Sequence, residues 1–448
     1  MQSLLARIET VDVRTTFEQL SDAKTTLTGL LDEVAPQLES AASILPLVPD
    51  LLGASGPRTY VLMFMNSAEV RALGGTGLSF TALTADGGRL SIGQAVPAGF
   101  GNFPEYLPGQ VVPIPDGAEA LYQHGTFGTF IPNATMRPDF ATAGEIVSKM
   151  WTENIGGEVD AVIGIDPTAL SYAMEGLEPV QISTGDLVTS ETVVPLLLNE
   201  VYQRYWSGNV GHDNVMQDLV YAEVVGAVSE RITTGQFEPT ALLAGLGQAA
   251  TERRLLLWSA NEAEQAAFGT LGVDGAMPMS DNQTDRVGVY FQDDVGSKMS
   301  YYLHTAATLE KASCRDDGRQ TYRVSVDLSN ALPTNAARTI SPSILGTFKR
   351  SGLEPGVQRN MIFVLAPPGA EIVRATVDGA EIPLEGWHDE EYPAARFVVT
   401  TPPQASTTVT VEMIAPEAGE KDLAAEITPM INPTTVTEGV LDCATVKE

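Results

Sequence analysis

The sequence predicts an α/β protein with a helical leader in front of a sheet domain and a β-sandwich behind it. Three observations carry that expectation. Residues 1–50 place apolar side chains at helical spacing, residues 51–295 alternate strand-like apolar runs with helical periods, and residues 296–448 hold short β-rich segments separated by Pro, Gly and Asn. These changes of texture set the domain boundaries, the last of them at Gly296.

In the leader, Leu20, Leu27 and Val34 recur every seven residues and Leu31 and Leu38 are offset by four, which makes one apolar stripe. Pro36 breaks it. Two readings stay open: a pair of helices packed on the next domain, and a coiled-coil stalk.

The sheet domain opens with Thr59–Met65, a continuous apolar run ending in Asn66, which is the profile of a strand buried on both faces. Leu78–Thr84 and Arg89–Ile92 flank Asp86-Gly87-Gly88 and read as a β-hairpin. Residues 95–140 are rich in Gly and Pro and carry Phe100, Phe103, Tyr106, Tyr122, Phe127 and Phe130. They predict a long aromatic loop whose rings either line a groove or pack as core. Ala141–Glu153 is helical, and Val159–Ile165 is a second buried strand. Asp166-Pro167 starts a helix with Asp as N-cap and Pro in the first turn. Ser190 is expected to cap a helix running to Arg204, followed by helices at Asp213–Thr233, 239–252 and 260–268 around the short strand Leu255–Trp258. Past Gly296, strands are expected at Tyr322–Val326, Met361–Leu365, Glu371–Val377, Ala395–Val399 and Thr407–Met413, a spacing that suggests a sandwich.

Composition narrows the function. With 448 residues and 44% apolar content the chain can bury several cores, and its 57 acidic against 26 basic residues give a net charge of −31. Such a charge repels nucleic-acid phosphates and anionic lipid surfaces, so a nucleic-acid partner is excluded. Two cysteines and four histidines leave little for a zinc or iron–sulfur site. Cys314 and Cys443 are unrelated thiols if the protein is cytosolic and a disulfide if it is exported; the low count with none left over favours the bridge. No run of 18 apolar residues and no signal peptide follows Met1, so the protein is either cytosolic or preceded by an anchor.

Gly74-Gly75-Thr76-Gly77 precedes a strand instead of a helix, so it reads as a tight chain reversal and not as a phosphate loop. Asn66, Glu69 and Arg71 directly follow the first strand, where open α/β sheets place their ligands. Arg71 either forks onto a phosphate, or pairs with Glu69 or caps loop carbonyls. Arg137 and Asp139 stand at a helix entry, Asp139 as a cap. Arg253-Arg254 ends a helix. His212-Asp213 and His388-Asp389 are adjacent in sequence, which does not make a triad, and no nucleophile elbow or Walker loop occurs.

These residues carry a resemblance. Leu51–Tyr60 (LLGASGPRTY), Asn66–Gly75 (NSAEVRALGG), Arg137–Phe140 (RPDF), Val159–Pro167 (VDAVIGIDP), Asn199–Tyr202 (NEVY) and Gly296–Lys298 (GSK) together resemble the signature of the domain-of-unknown-function 4012 family, found mostly in actinobacterial envelopes. The resemblance implies an extracytoplasmic protein tethered to the cytoplasmic membrane by an anchor upstream of Met1. More remotely, the order of strand, polar loop, helix and Val-Asp-x-Val-Ile-x-Ile-Asp strand is similar to the LytR-CpsA-Psr family. Those enzymes transfer glycopolymers from a polyprenyl-pyrophosphate carrier to the cell wall, using arginines on the pyrophosphate and acidic residues on magnesium.

On that likeness Arg71, Arg58 and Arg137 meet pyrophosphate, Asn66 orients it, and Glu69 and Asp139 complete the candidate ligand-binding set. The sequence departs from the pattern in two places. Asn66 stands where the likeness expects a metal-binding carboxylate, which weighs against magnesium and leaves no cofactor expected. The Arg-x-x-Arg-Gln helix would fall at His212–Gln217, where Asp213 and Gln217 remain and the arginines do not. Two function classes follow. One is a protein that binds, and in one version transfers, cell-surface glycopolymer or polyprenyl-phosphate-linked precursors. The other is a non-catalytic structural or interaction module docking envelope protein partners.

Overall fold

A computed structural model describes residues 44–99, 101–106, 109–122, 126–346 and 349–446. The leader stripe from Leu20 to Leu38, together with Phe100, lies outside the described residues. The fold is mixed α/β, with an N-terminal sheet domain and two further sheets stacked as a sandwich.

Strands longer than two residues are numbered in chain order. The first sheet holds β1 (Arg58–Asn66), β2 (Thr76–Asp86), β3 (Arg89–Ile92), β4 (Ala161–Ile165) and β5 (Leu255–Ser259), in the order β3-β2-β1-β4-β5, with Val96–Pro97 also pairing β2. β1 runs parallel to β4 and antiparallel to β2. The helices of eight residues or more are α1 (Phe140–Asn154), α2 (Pro167–Met174), α3 (Val210–Thr233), α4 (Pro239–Thr251) and α5 (Glu262–Leu271). Asp166 caps α2 by accepting from Ala169 N–H at 2.7 Å, with Pro167 in the first turn.

The expected Ser190 cap is displaced. Helical geometry begins at Val193, passes through a π turn at Leu196–Glu200 and ends at Arg204. Ahead of it, the Thr189 hydroxyl accepts the N–H groups of Glu191 and Thr192. A local side-chain turn of this kind satisfies the backbone and delays the helix.

The sandwich contains β6 (Thr284–Asp293), β7 (Leu303–Ala312), β8 (Arg319–Asn330), β9 (Gln358–Leu365), β10 (Glu371–Val377), β11 (Trp387–Asp389), β12 (Tyr392–Thr401), β13 (Ser406–Ala418), β14 (Asp422–Ile427) and β15 (Thr435–Val440). One sheet runs β10-β13-β8-β7-β15, with Ala380–Glu381 added beyond β10; the other runs β11-β12-β9-β6-β14. β6 pairs with β9 and β14, so the first sandwich strand lies upstream of Gly296. The Cys314–Cys443 disulfide ties the loop after β7 to the segment after β15.

The sheet domain and the sandwich share a core. Met136, Phe140 and Tyr122 pack in one cluster with Tyr290, Met361, Phe363 and Tyr392, and the Tyr122 and Phe363 ring centroids are 5.1 Å apart. Of the loop aromatics, Phe103, Tyr122 and Phe127 are buried in this cluster and Tyr106 packs against it. Core packing therefore replaces the groove for these rings, because the sandwich supplies the apolar surface they cover.

Candidate functional site

β1 ends at Asn66, and the chain reverses over the sandwich before returning as β2. The reversal is hydrogen-bonded on both sides: Thr76 N–H donates to Glu69 O at 3.0 Å, Asp293 N–H to Val70 O at 3.0 Å, and Ser300 N–H to Ala68 O at 3.0 Å. A Cβ on Gly75 would stand 2.5 Å from the Asn66 carbonyl carbon, so this close approach needs glycine. The glycine cluster is thus a chain reversal, as its position before a strand indicates.

Three separated signature segments meet here. Asn66 is buried; its amide donates to Tyr202 Oη at 2.5 Å and Tyr221 Oη at 3.0 Å, and its Oδ1 accepts Ala68 N–H at 3.1 Å. Glu69 accepts from Arg71 Nη2 at 3.0 Å and from Lys298 Nζ. Burial pushes the Glu69 carboxyl up, but the Lys298 ammonium and the Arg71 guanidinium outweigh it and hold the group below its usual range. Arg71 also donates from Nη1 to Val70 O at 3.0 Å and Asp293 O at 3.1 Å, and from Nη2 to Asn133 Oδ1 at 3.3 Å. Arg71 thus both pairs with Glu69 and caps loop carbonyls.

The other arginines lie elsewhere and are also engaged. Arg58 forks onto Glu264 with both contacts at 2.9 Å and pairs through Nε with Asp160 at 2.8 Å. It sits at the opposite end of β1, about 26 Å from Asn66 at the usual rise of an extended strand. Arg137 is 4% exposed; it forks onto Asp389 and reaches Asp139 at 2.8 Å and Glu390 at 2.9 Å. Asp139 caps α1 through Thr142 N–H at 3.0 Å, as its place at the helix entry indicates. Arg254 holds Asp166 at 2.7 Å. Asp213 accepts from Ser207 and has His212 Nδ1 at 3.5 Å, whereas His388 Nε2 lies 3.5 Å from Asp116 while its neighbour Asp389 accepts from Tyr122 Oη and Arg137.

The residues of this corner do not fit magnesium. Asn66 has its amide nitrogen on two phenols and its oxygen on a backbone N–H, while Glu69 is neutralised by two cations. Among the described residues no group of three or more His, Cys, Asp or Glu gathers as metal ligands.

A feature not foreseen from the sequence lies on one face of the first sheet. Val61, Met63 and Met65 of β1 point into the shared core. The alternate residues Leu62 and Phe64 stand in register with Ile163 and Ile165 of β4, which in turn pair with Leu257 and Leu255 of β5. All six are apolar and only half-buried, forming a block three strands wide. By ordinary strand spacing it measures roughly 10 Å across and about 7 Å along the strands. The apolar run that predicted burial on both faces is therefore fully covered on one face only. Alternation of size or polarity would have signalled this, and the sequence has neither.

Fold and site together define an α/β sheet domain fused through a common core to a β-sandwich, with one apolar sheet face left partly open. Residues 55–202 match the family model described as "Protein of unknown function (DUF4012)". No curated protein matches the chain. Among solved structures, the chain is similar to Lin1025 of Listeria innocua at 11% identity, over 52% of this chain and 85% of that one, with a TM-score of 0.25. It is similar to the Bacillus subtilis transcriptional regulator yvhJ at 11% identity, over 51% and 84%, with a TM-score of 0.22. A likeness to Legionella pneumophila lpg2210 has 9% identity and a TM-score of 0.17, covering 25% of this chain and 39% of that protein's length. At these scores none of the three bears on function. Among the described residues no helix is long and apolar enough to cross a membrane.

Proposed function

We propose that this chain is an extracytoplasmic binding protein for an isoprenoid-like lipid, which lies along the open face of the first sheet and is held without group transfer. The observation that carries the reading is the block of Leu62, Phe64, Ile163, Ile165, Leu255 and Leu257, half-buried on three neighbouring strands. The block is small beside the apolar patches of several hundred Å² that mark protein interfaces, so what it suits is a narrow apolar chain. The remote likeness to the LytR-CpsA-Psr family, with its polyprenyl carriers, supports the choice of lipid. The disulfide supports an oxidising compartment.

Transfer is set aside because phosphoryl chemistry needs cations free to clamp developing charge. Arg58, Arg71 and Arg137 are each engaged by protein carboxylates. The same pairing favours a second reading, a structural module of an envelope assembly, in which the sheet face meets a protein partner.

Native mass spectrometry with a polyprenyl phosphate and the matching polyprenol separates these readings. Both ligands bind the wild type with similar affinity, since no phosphate clamp is invoked, and Leu257→Glu abolishes both in a protein that still unfolds cooperatively. No binding of either lipid by the wild type overturns the proposal and leaves the structural reading.

A further inference from the structure

The sandwich carries a second cavity, far in chain and chemistry from the apolar face. It is a crevice of about 580 Å³ where the segment leading into β6 (Asn282, Gln283), the end of β7 (Lys311, Ser313), the start of β8 (Gln320) and the Glu420–Asp422 segment converge. The volume is within the range of small-molecule sites. We infer that this crevice binds a neutral saccharide, using the buried Gln320 amide at its base and the amide and charged side chains of its rim.

The charge of the lining excludes other ligands first. Lys311 and Lys421 are matched by Glu420 and Asp422, and the remaining lining residues are uncharged, so the crevice is balanced inside a chain of net charge −31. An anion such as phosphate needs an excess of cations and a divalent metal an excess of carboxylates; neither is offered here. An apolar ligand has only Ala312 and the lysine stems to cover. A ligand that is neutral and dense in hydrogen-bonding groups remains.

Donor and acceptor chemistry then points to hydroxyls. Each sugar hydroxyl both donates and accepts, and the lining mixes the two roles: amides donate and accept, Ser313 does both, ammonium groups donate and carboxylates accept. Gln320 is 4% exposed, and its Oε1 accepts Lys421 N–H at 2.8 Å; the Tyr322 hydroxyl lies 3.2 Å away and directs its one proton to Asp285. Gln320 lines the crevice, and its Nε2 is not among the buried side-chain nitrogens that lack a partner, so that donor is open to water or to a ligand.

The base is also rigid. Lys421 Nζ donates to Asp285 at 3.1 Å and Tyr322 Oη donates to the same carboxylate at 2.9 Å, while Lys311 Nζ holds Lys421 O and Asp422 at 2.8 Å each. Pre-formed polar groups lose little entropy on binding. The disulfide begins one residue beyond Ser313 and fixes that side of the rim.

The test is saturation-transfer NMR on the full chain with maltotriose, mannotriose and N,N′-diacetylchitobiose, titrated into the millimolar range. At least one sugar binds saturably. The double variant Asn282→Ala/Glu420→Ala, which alters only exposed side chains, weakens it by about tenfold or more, the equivalent of about 1.4 kcal/mol. Gln320→Met, which keeps the side-chain volume and removes the amide, does the same, whereas Leu257→Glu leaves binding intact. The inference is overturned if none of the three sugars binds, if binding survives both sets of crevice substitutions, or if trialanine binds in their place.

Discussion

Replacing Arg137 tests whether it is a structural clamp or a ligand-binding group. Its guanidinium is almost wholly buried and contacts three carboxylates, of which Asp389 is fully buried and comes from the sandwich hairpin at the far end of the chain. Removing the arginine leaves Asp389 with the Tyr122 hydroxyl at 2.9 Å as its neutral partner, in surroundings otherwise filled by Met277, Tyr392 and Phe363. An uncompensated charge of this kind costs about 3–5 kcal/mol. Arg137→Met is therefore expected to lower the urea-unfolding free energy by about that amount, a large fraction of a typical domain's stability. The double variant Arg137→Met/Asp389→Leu removes both charges and recovers most of the loss, since an apolar replacement of a buried pair is often neutral. Lipid affinity should be unchanged in both variants. A single-variant loss below about 1 kcal/mol, the value of an exposed pair, refutes the clamp. So does a double variant no more stable than the single.

Two further outcomes follow from the same physics. Glu69 has a depressed pKa in the fold, so it contributes stability above its ordinary value of 4.5, and that contribution is lost as pH falls through the folded pKa. The stability penalty of Glu69→Gln is thus largest at neutral pH and shrinks in acid, as urea titrations across pH read directly; a penalty independent of pH contradicts the assignment. The disulfide closes a separation of 129 residues, for which the chain-entropy model gives a ceiling of about 5 kcal/mol. Most β15 side chains are exposed, so reduction should free that strand locally before the rest unfolds. Hydrogen exchange should rise at Thr435–Val440 in the reduced protein and stay unchanged along the β8–β13 ladder, and equal protection in both redox states refutes this.

The parts of this fold that were readable from sequence are those whose cause is local. Glu371–Val377 is a strand at its expected limits, α1 and α3 lie within a few residues of theirs, and Asp139 and Asp166 cap as their positions indicate. Of the strands missing from the expected set, β6, β14 and β15 are held by distant partners, whereas β7 pairs with the next strand β8 as a hairpin. β6 carries Gln292 and Asp293 where an apolar pattern would be sought, because Gln292 donates to Met136 O and Asp293 accepts from the Val295 and Ser297 backbone. β14 and β15 each pair in parallel with a strand more than a hundred residues earlier. The carboxylate partners of Arg58 and Arg137 are hidden for the same reason. A guanidinium in a sequence looks the same whether it awaits a phosphate or a carboxylate 206 or 252 residues away.

Asn66 carries more than an isolated position in a sequence shows. Treated alone, an amide in place of a carboxylate is a lost metal ligand. In the fold it is a matched part, since Tyr221 donates its hydroxyl proton to Leu197 O and so can only accept from residue 66. An aspartate there would face that oxygen without a proton to share and would stand near Glu69, which already occupies Arg71 and Lys298. Tyr202 and Lys298 belong to segments that the sequence joins to Asn66 only as parts of one resemblance, and their convergence gives those short motifs a physical reason. They build one neutralised, hydrogen-bonded corner at the end of β1. A corner in which every charge is already answered locks the sheet domain to the sandwich, and it leaves the apolar face and the polar crevice as the surfaces with chemistry still to offer.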